Sequence, residues 1–133
     1  MSTDEEQGKK VVLDTNFLLI PAQFKLDIFE NLDAAIPGKK IFVTPQGVIE
    51  ELKSIKLSSK GIDGIAAKVA LELIAEKHVE IIPSEGEVDD FIVEYASENK
   101  ACVATCDKEL KKRLKNKGIK TVTLRCKRYL IVD

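Results

Sequence analysis

Histidine occurs once in this chain of 133 residues, as His78, and cysteine three times, as Cys102, Cys106 and Cys126. A lone histidine and an odd set of unpaired cysteines exclude a zinc site of the usual His/Cys kind, and the thiols are expected to be free in a reducing compartment. Aromatic residues make up 5% of the chain, which argues against recognition that depends on strong reading of bases. No apolar stretch approaches the roughly 20 residues that span a bilayer, and the start Met-Ser-Thr-Asp-Glu-Glu-Gln has none of the character of a signal peptide. The expectation is a soluble, cytoplasmic protein without a membrane partner. A large excess of one charge is also missing: 21 Lys and Arg stand against 22 Asp and Glu, a formal net charge of −1. Overall charge therefore announces no nucleic-acid binder, and any such surface must be local.

A hydrophobic content of 44% in this length suits one core. We expect residues 1–8 to form a frayed tail and residues 9–133 a single domain. Charge is unevenly spread, since Asp4, Glu5 and Glu6 crowd the start. Lys108, Lys111, Lys112, Arg113, Lys115, Lys117 and Lys120 fall together with Glu109 as the only acid between them, which makes a local basic face.

Short apolar runs alternate with segments of helical period, the pattern of βαβ units around a parallel sheet covered on both faces. Strands are predicted at Lys10 to Asp14, Ile41 to Val43, Val79 to Ile82, Ala101 to Ala104 and Thr121 to Leu124, with a shorter element at Tyr129 to Val132. A helix is predicted from Gln23 to Ala35, ended by Pro37-Gly38. A second follows Pro45, which suits a first helical turn, and carries Val48, Ile49, Leu52 and Ile55. Others are predicted at Asp63 to Lys77, from Ser84 to about Glu98, where Ser84 and Glu87 have capping-box spacing, and at Asp107 to Lys117 with Gly118 as its stop.

Four acids interrupt this apolar pattern. Asp14 ends the run Val11-Val12-Leu13 and Asp107 follows the run Ala101 to Ala104, so two strands end at a carboxylate. In open parallel sheets ligands bind beyond the carboxyl ends of the strands. A helix N-cap is the plain structural reading of Asp14 and of Asp107 alike. The other two acids shift the balance. On a helical projection Asp89 lies at the edge of the stripe Val88, Phe91, Ile92, Tyr95 and Ala96, whereas Asp90 lies opposite it. Glu51 lies beside Val48 and Ile55, whereas Glu50 points away, although adjacent glutamates leave that register open by one residue. A carboxylate at a buried edge is costly without a partner, and no Arg or Lys is placed by the sequence to neutralise either acid. Gathered carboxylates repel one another unless a cation intervenes, and a hard divalent metal is the natural one. Cys106 has no histidine at a useful spacing and reads as a small buried hydrophobe rather than a nucleophile.

These residues resemble PIN-domain ribonucleases. The resemblance runs through Val11-Val12-Leu13-Asp14-Thr15-Asn16, Val48-Ile49-Glu50-Glu51-Leu52, Val88-Asp89-Asp90-Phe91-Ile92 and Val103-Ala104-Thr105-Cys106-Asp107-Lys108-Glu109-Leu110. Within the family the chain is most similar to the archaeal and eukaryotic branch associated with ribosomal RNA processing. The resemblance implies a three-layer α/β/α sandwich with a five-stranded parallel sheet, and a Mg²⁺- or Mn²⁺-dependent endoribonuclease acting on single-stranded or structured RNA. It assigns catalysis and metal binding to Asp14, Glu51, Asp89 and Asp107, with Asn16 and Thr105 as supporting polar groups. RNA phosphates are expected on Lys108, Lys111, Lys112, Arg113 and Lys115, with Arg125, Lys127 and Arg128 nearby. It also leaves alternatives: the toxin of a toxin–antitoxin pair, or a non-catalytic RNA-binding or assembly module. The partners implied are RNA, a second copy in a homodimer, and a ribosome-assembly or antitoxin protein.

Overall fold

The computed structural model describes residues 8–133. The tail expected at residues 1–8 lies outside the described residues except for Gly8, which is buried against Lys39.

The chain forms β1 (Lys9–Leu13), α1 (Thr15–Leu18), α2 (Ile20–Phe24), α3 (Ile28–Ala35), β2 (Lys40–Pro45), α4 (Gln46–Ser58), α5 (Ile62–Glu76), β3 (Glu80–Ile82), α6 (Val88–Asn99), β4 (Cys102–Ala104), α7 (Lys108–Asn116), β5 (Thr121–Arg125) and β6 (Tyr129–Val132). The strands make one sheet in the order β3-β2-β1-β4-β5-β6. The first five run parallel, and β6 returns antiparallel to β5, pairing Thr123 with Ile131 and Leu124 with Leu130. The sheet is thus six-stranded and mixed rather than five-stranded and parallel. The turn after Arg125 makes the return possible, with Cys126 and Lys127 both at positive φ and the Arg128 amide donating to the Arg125 carbonyl.

Alternation along the strands builds the three layers. Val11 and Leu13 of β1, with Cys102 and Ala104 of β4, point into the core formed with α1 to α5. Val12 and Val103 point the other way, into a second core with Ile92, Val93 and Ala96 of α6 and Leu110 and Leu114 of α7. That period-2 switch is why β1 and β4 read as unbroken apolar runs: both of their faces are covered.

The helix expected over Gln23 to Ala35 is broken. Lys25 adopts a left-handed conformation at φ 52°, and Asp27 restarts the helix by accepting a hydrogen bond from the Glu30 amide at 3.0 Å. The expected capping box is absent too. Glu87 precedes α6 without a side-chain cap, and the Ser84 hydroxyl instead accepts from the Gly47 amide at 2.9 Å, so it serves the start of α4.

Candidate active site

The strand order reverses direction between β1, whose chain continues to β2, and its other neighbour β4. Such a switch point opens a crevice beyond the strand ends, because the connections leave on opposite faces of the sheet. Asp14 stands at this place. Its amide donates to the Ala104 carbonyl at 3.1 Å, and the Thr44 hydroxyl donates to the Leu13 carbonyl at 2.8 Å, so the ends of β2, β1 and β4 are tied together around it.

Asp14 is 4% exposed. Its Oδ1 accepts from the Thr15 amide at 2.9 Å and its Oδ2 from the Thr105 hydroxyl at 2.7 Å. Burial nevertheless dominates and pushes the carboxyl up from 3.8 to about 6, with the negative charges of Asp89 and Glu51 adding to the rise. The Asp89 carboxyl is raised for the same reasons, burial first and then the charge of Asp107, while Arg113 pulls it back. These acids therefore feel one another across the crevice. Among the described residues, however, no three His, Cys, Asp or Glu side chains are grouped tightly enough to enclose an ion.

Thr105 is the hinge of the site. Fully buried at the end of β4, it donates to Asp14 and accepts from the Asp107 amide at 3.1 Å. Asn16 accepts from the Cys106 amide at 2.9 Å, which fastens the loop after β4 to the start of α1. Asp107 is the N-cap of α7, its Oδ1 accepting from Glu109 and Leu110 amides, which leaves Oδ2 outside these bonds. Both plain cap readings thus hold: Asp14 caps the helix after β1 and Asp107 the helix after β4.

Of the adjacent glutamates, Glu51 reaches the site. Its Oε1 accepts from the Thr15 hydroxyl at 2.6 Å, whereas Glu50 accepts from Gln46 within its own helix. Thr15 is a polar member that pattern reasoning missed; it lay inside the Asp-Thr-Asn motif, but nothing in the spacing shows that its hydroxyl bridges to a helix 36 residues away. The basic face is less free than expected. Arg113 pairs with Asp90 at 2.9 Å and Lys115 with Asp133 at 3.1 Å. Lys108 and Lys112 are exposed on α7, whose N-terminus opens at the crevice.

Residues 11–127 match the family described as PIN like domain. The chain belongs to this family. As a PIN-like domain it is 33% identical to ribonuclease VapC9 of Archaeoglobus fulgidus over 90% of its own length and 87% of that protein. It is 32% identical to the rRNA-processing protein fcf1 of Schizosaccharomyces pombe over 79% of this chain, but spans only 53% of that protein. The solved structure of the PIN domain endonuclease Utp24 superposes with a TM-score of 0.77 at 29% identity, covering 93% of this PIN-like chain and 90% of that one. No helix among the described residues is long and apolar enough to cross a membrane.

Proposed function

We propose that the chain is a metal-dependent endoribonuclease that hydrolyses phosphodiester bonds of single-stranded or structured RNA, with Asp14, Glu51, Asp89 and Asp107 as its acidic centre. The observation that carries the reading is Asp14, a carboxylate buried at the sheet's switch point and left under the repulsion of Asp89 and Glu51. A group so placed is costly to keep ionised unless a cation meets it. Nuclease and ribonuclease names on the relatives support the same class of chemistry.

The donor set fits a hard divalent ion. Every candidate ligand is a carboxylate oxygen, the donor that hard divalent ions such as Mg²⁺ take. Asp14 and Asp107 would hold the principal ion, and Glu51 and Asp89 a second ion or the attacking water. When bound, such an ion lowers the pKa of a coordinated water and offsets charge on the scissile phosphate. The chain's own residues supply position. Thr105 fixes the Asp14 carboxylate, Thr15 orients Glu51, and Asn16 holds the loop that presents Asp107. Lys108, Lys111 and Lys112 draw the RNA backbone along α7.

The test is cleavage of a structured RNA at low salt with Mn²⁺ by the wild type and by Asp107→Asn. Asn is as good an N-cap as Asp, so α7 is expected to survive while cleavage falls at least about 100-fold. Equal cleavage would end the assignment. Two settings are open to the same chemistry: ribosomal RNA maturation, favoured by the likeness to fcf1 and Utp24, and a toxin role, favoured by the likeness to VapC9. Growth arrest on expression that Asp107→Asn abolishes selects the toxin.

A further inference from the structure

At the other end of the sheet, four lysines surround one hollow. Its volume is about 270 Å³, and it lies where β1, β4 and β5 begin and α6 and α7 end; Lys9, Lys100, Lys117 and Lys120 line it, together with Ser97 and the buried Cys102. Among the described residues no acid lines it, and none of the four lysines is in an ion pair. Burial pushes the Cys102 thiol up to about 11, and the ammonium groups of Lys9 and Lys120 pull against it, so both charges act at the start of β4.

Two of the lysines also have a plainer role. Lys100 and Lys117 are the C-caps of α6 and α7, where a positive charge answers the negative pole of about half a unit at each helix end. Two such poles offset roughly one of the four charges. The remainder is a concentration of like charge that an anion with several oxygens relieves.

The position of the hollow indicates what kind of anion. Asp107 opens α7 at the crevice, and Lys117 closes the same helix at the hollow. Nine helical residues span roughly 14 Å, which is roughly four phosphates along a stacked strand. Between the two ends α7 exposes Lys108, Lys112 and Lys115. A polyanion lying on this face meets Lys108 and Lys112 on its way to the hollow, and Lys115 once it displaces Asp133.

We propose that the hollow is a second anchoring site, taking backbone phosphates of the same single-stranded RNA that the crevice engages. The proposal rests on the reading of the chain as an RNA-cleaving protein, and its test reads binding alone.

The full chain is titrated in EDTA with fluorescent single-stranded RNA of about 16 nucleotides and with a trinucleotide, by anisotropy over a series of salt concentrations. Lys9→Gln/Lys100→Gln/Lys120→Gln is compared with the wild type and with Lys53→Gln/Lys56→Gln/Lys60→Gln, which removes equal charge from α4 and the loop that follows it. The expected result is a salt slope about 2 smaller in the hollow variant only, at about 0.7 per phosphate contact, with affinity for the longer RNA down about tenfold at low salt and trinucleotide binding unchanged. An unchanged slope overturns the proposal. So does an equal loss in the α4 variant or on the trinucleotide, since either reports general charge. Binding of inorganic tripolyphosphate that the hollow variant abolishes, with the RNA slope intact, overturns it in favour of a small polyphosphate. Absence of cleavage with Mn²⁺ alongside the expected slope change removes the nuclease reading and keeps this site; cleavage with an unchanged slope does the reverse.

Discussion

Asp14 sits where an aliphatic side chain would be comfortable, and its charge works against the fold that positions it. Its carboxyl is raised from 3.8 to about 6, so between those values the folded chain holds a proton that the unfolded chain has released. Stability from this group is therefore complete below about pH 4 and lost as pH rises through 6. Asp14→Asn removes the loss. In EDTA the variant is expected to exceed the wild type by about 1–3 kcal/mol at pH 8 and to match it at pH 4, measured by denaturant unfolding. A variant less stable than wild type at pH 8 would show that the buried charge is already compensated. Thr105→Val probes the same carboxylate from outside. Losing the hydroxyl that donates to Oδ2 leaves burial less opposed, so an NMR titration should place Asp14 above 6, with stability down about 1–2 kcal/mol because the Asp107 amide also loses its acceptor. The acids were legible in the sequence because each interrupts an apolar pattern. The hydroxyl contacts were not: Thr105 entered only through the resemblance and Thr15 not at all, because both fit strand and turn equally well and their partners lie 91 and 36 residues away.

Elements meet with little slack where α4 turns into α5. A Cβ placed on Gly64 would run into the Ser59 carbonyl oxygen, a backbone atom that cannot rotate aside. Gly64→Ala is expected to cost about 1–3 kcal/mol despite the better helix propensity of alanine, read as a lowered denaturation midpoint at unchanged slope. An unchanged midpoint would mean that α5 slides without cost. The two helices carry Glu51 and the buried Ala67 and Ala70, so this junction also sets how Glu51 faces Thr15. Periodicity exposed both helices, and the parallel run of the first five strands followed from the alternation of strand and helix. It did not expose the break at Lys25 or the redirected Ser84. Both depend on which neighbour wins a hydrogen bond: Asp27 takes the Glu30 amide and so restarts a helix, and Ser84 takes the Gly47 amide across 37 residues. The sixth strand was a weak signal because its pairing rests on two consecutive residues at positive φ, Cys126 and Lys127, which neither composition nor period reveals.

At the scale of the whole molecule, charge is sorted by the ends of the sheet, with carboxylates beyond the carboxyl ends of β1 and β4 and lysines beneath their beginnings. Burial of Asp14, with Asp89 and Glu51 near it, disfavours its charge in the folded chain, and a cation that meets that charge would stabilise the fold by the same linkage that binds it. At a Mn²⁺ concentration of about 100 times its dissociation constant the gain is about 2.7 kcal/mol, several degrees in midpoint for a chain of this size. The wild type should show that rise at pH 7.5, with Ca²⁺ and Mg²⁺ giving smaller or larger versions according to affinity. Asp14→Asn should show almost none, although by the argument above it starts from the higher apo stability. The two curves therefore cross as metal is added. Parallel curves would place the bound ion away from Asp14, and a crossing that persists in Asp107→Asn would take Asp107 out of the ligand set while leaving Asp14 in it.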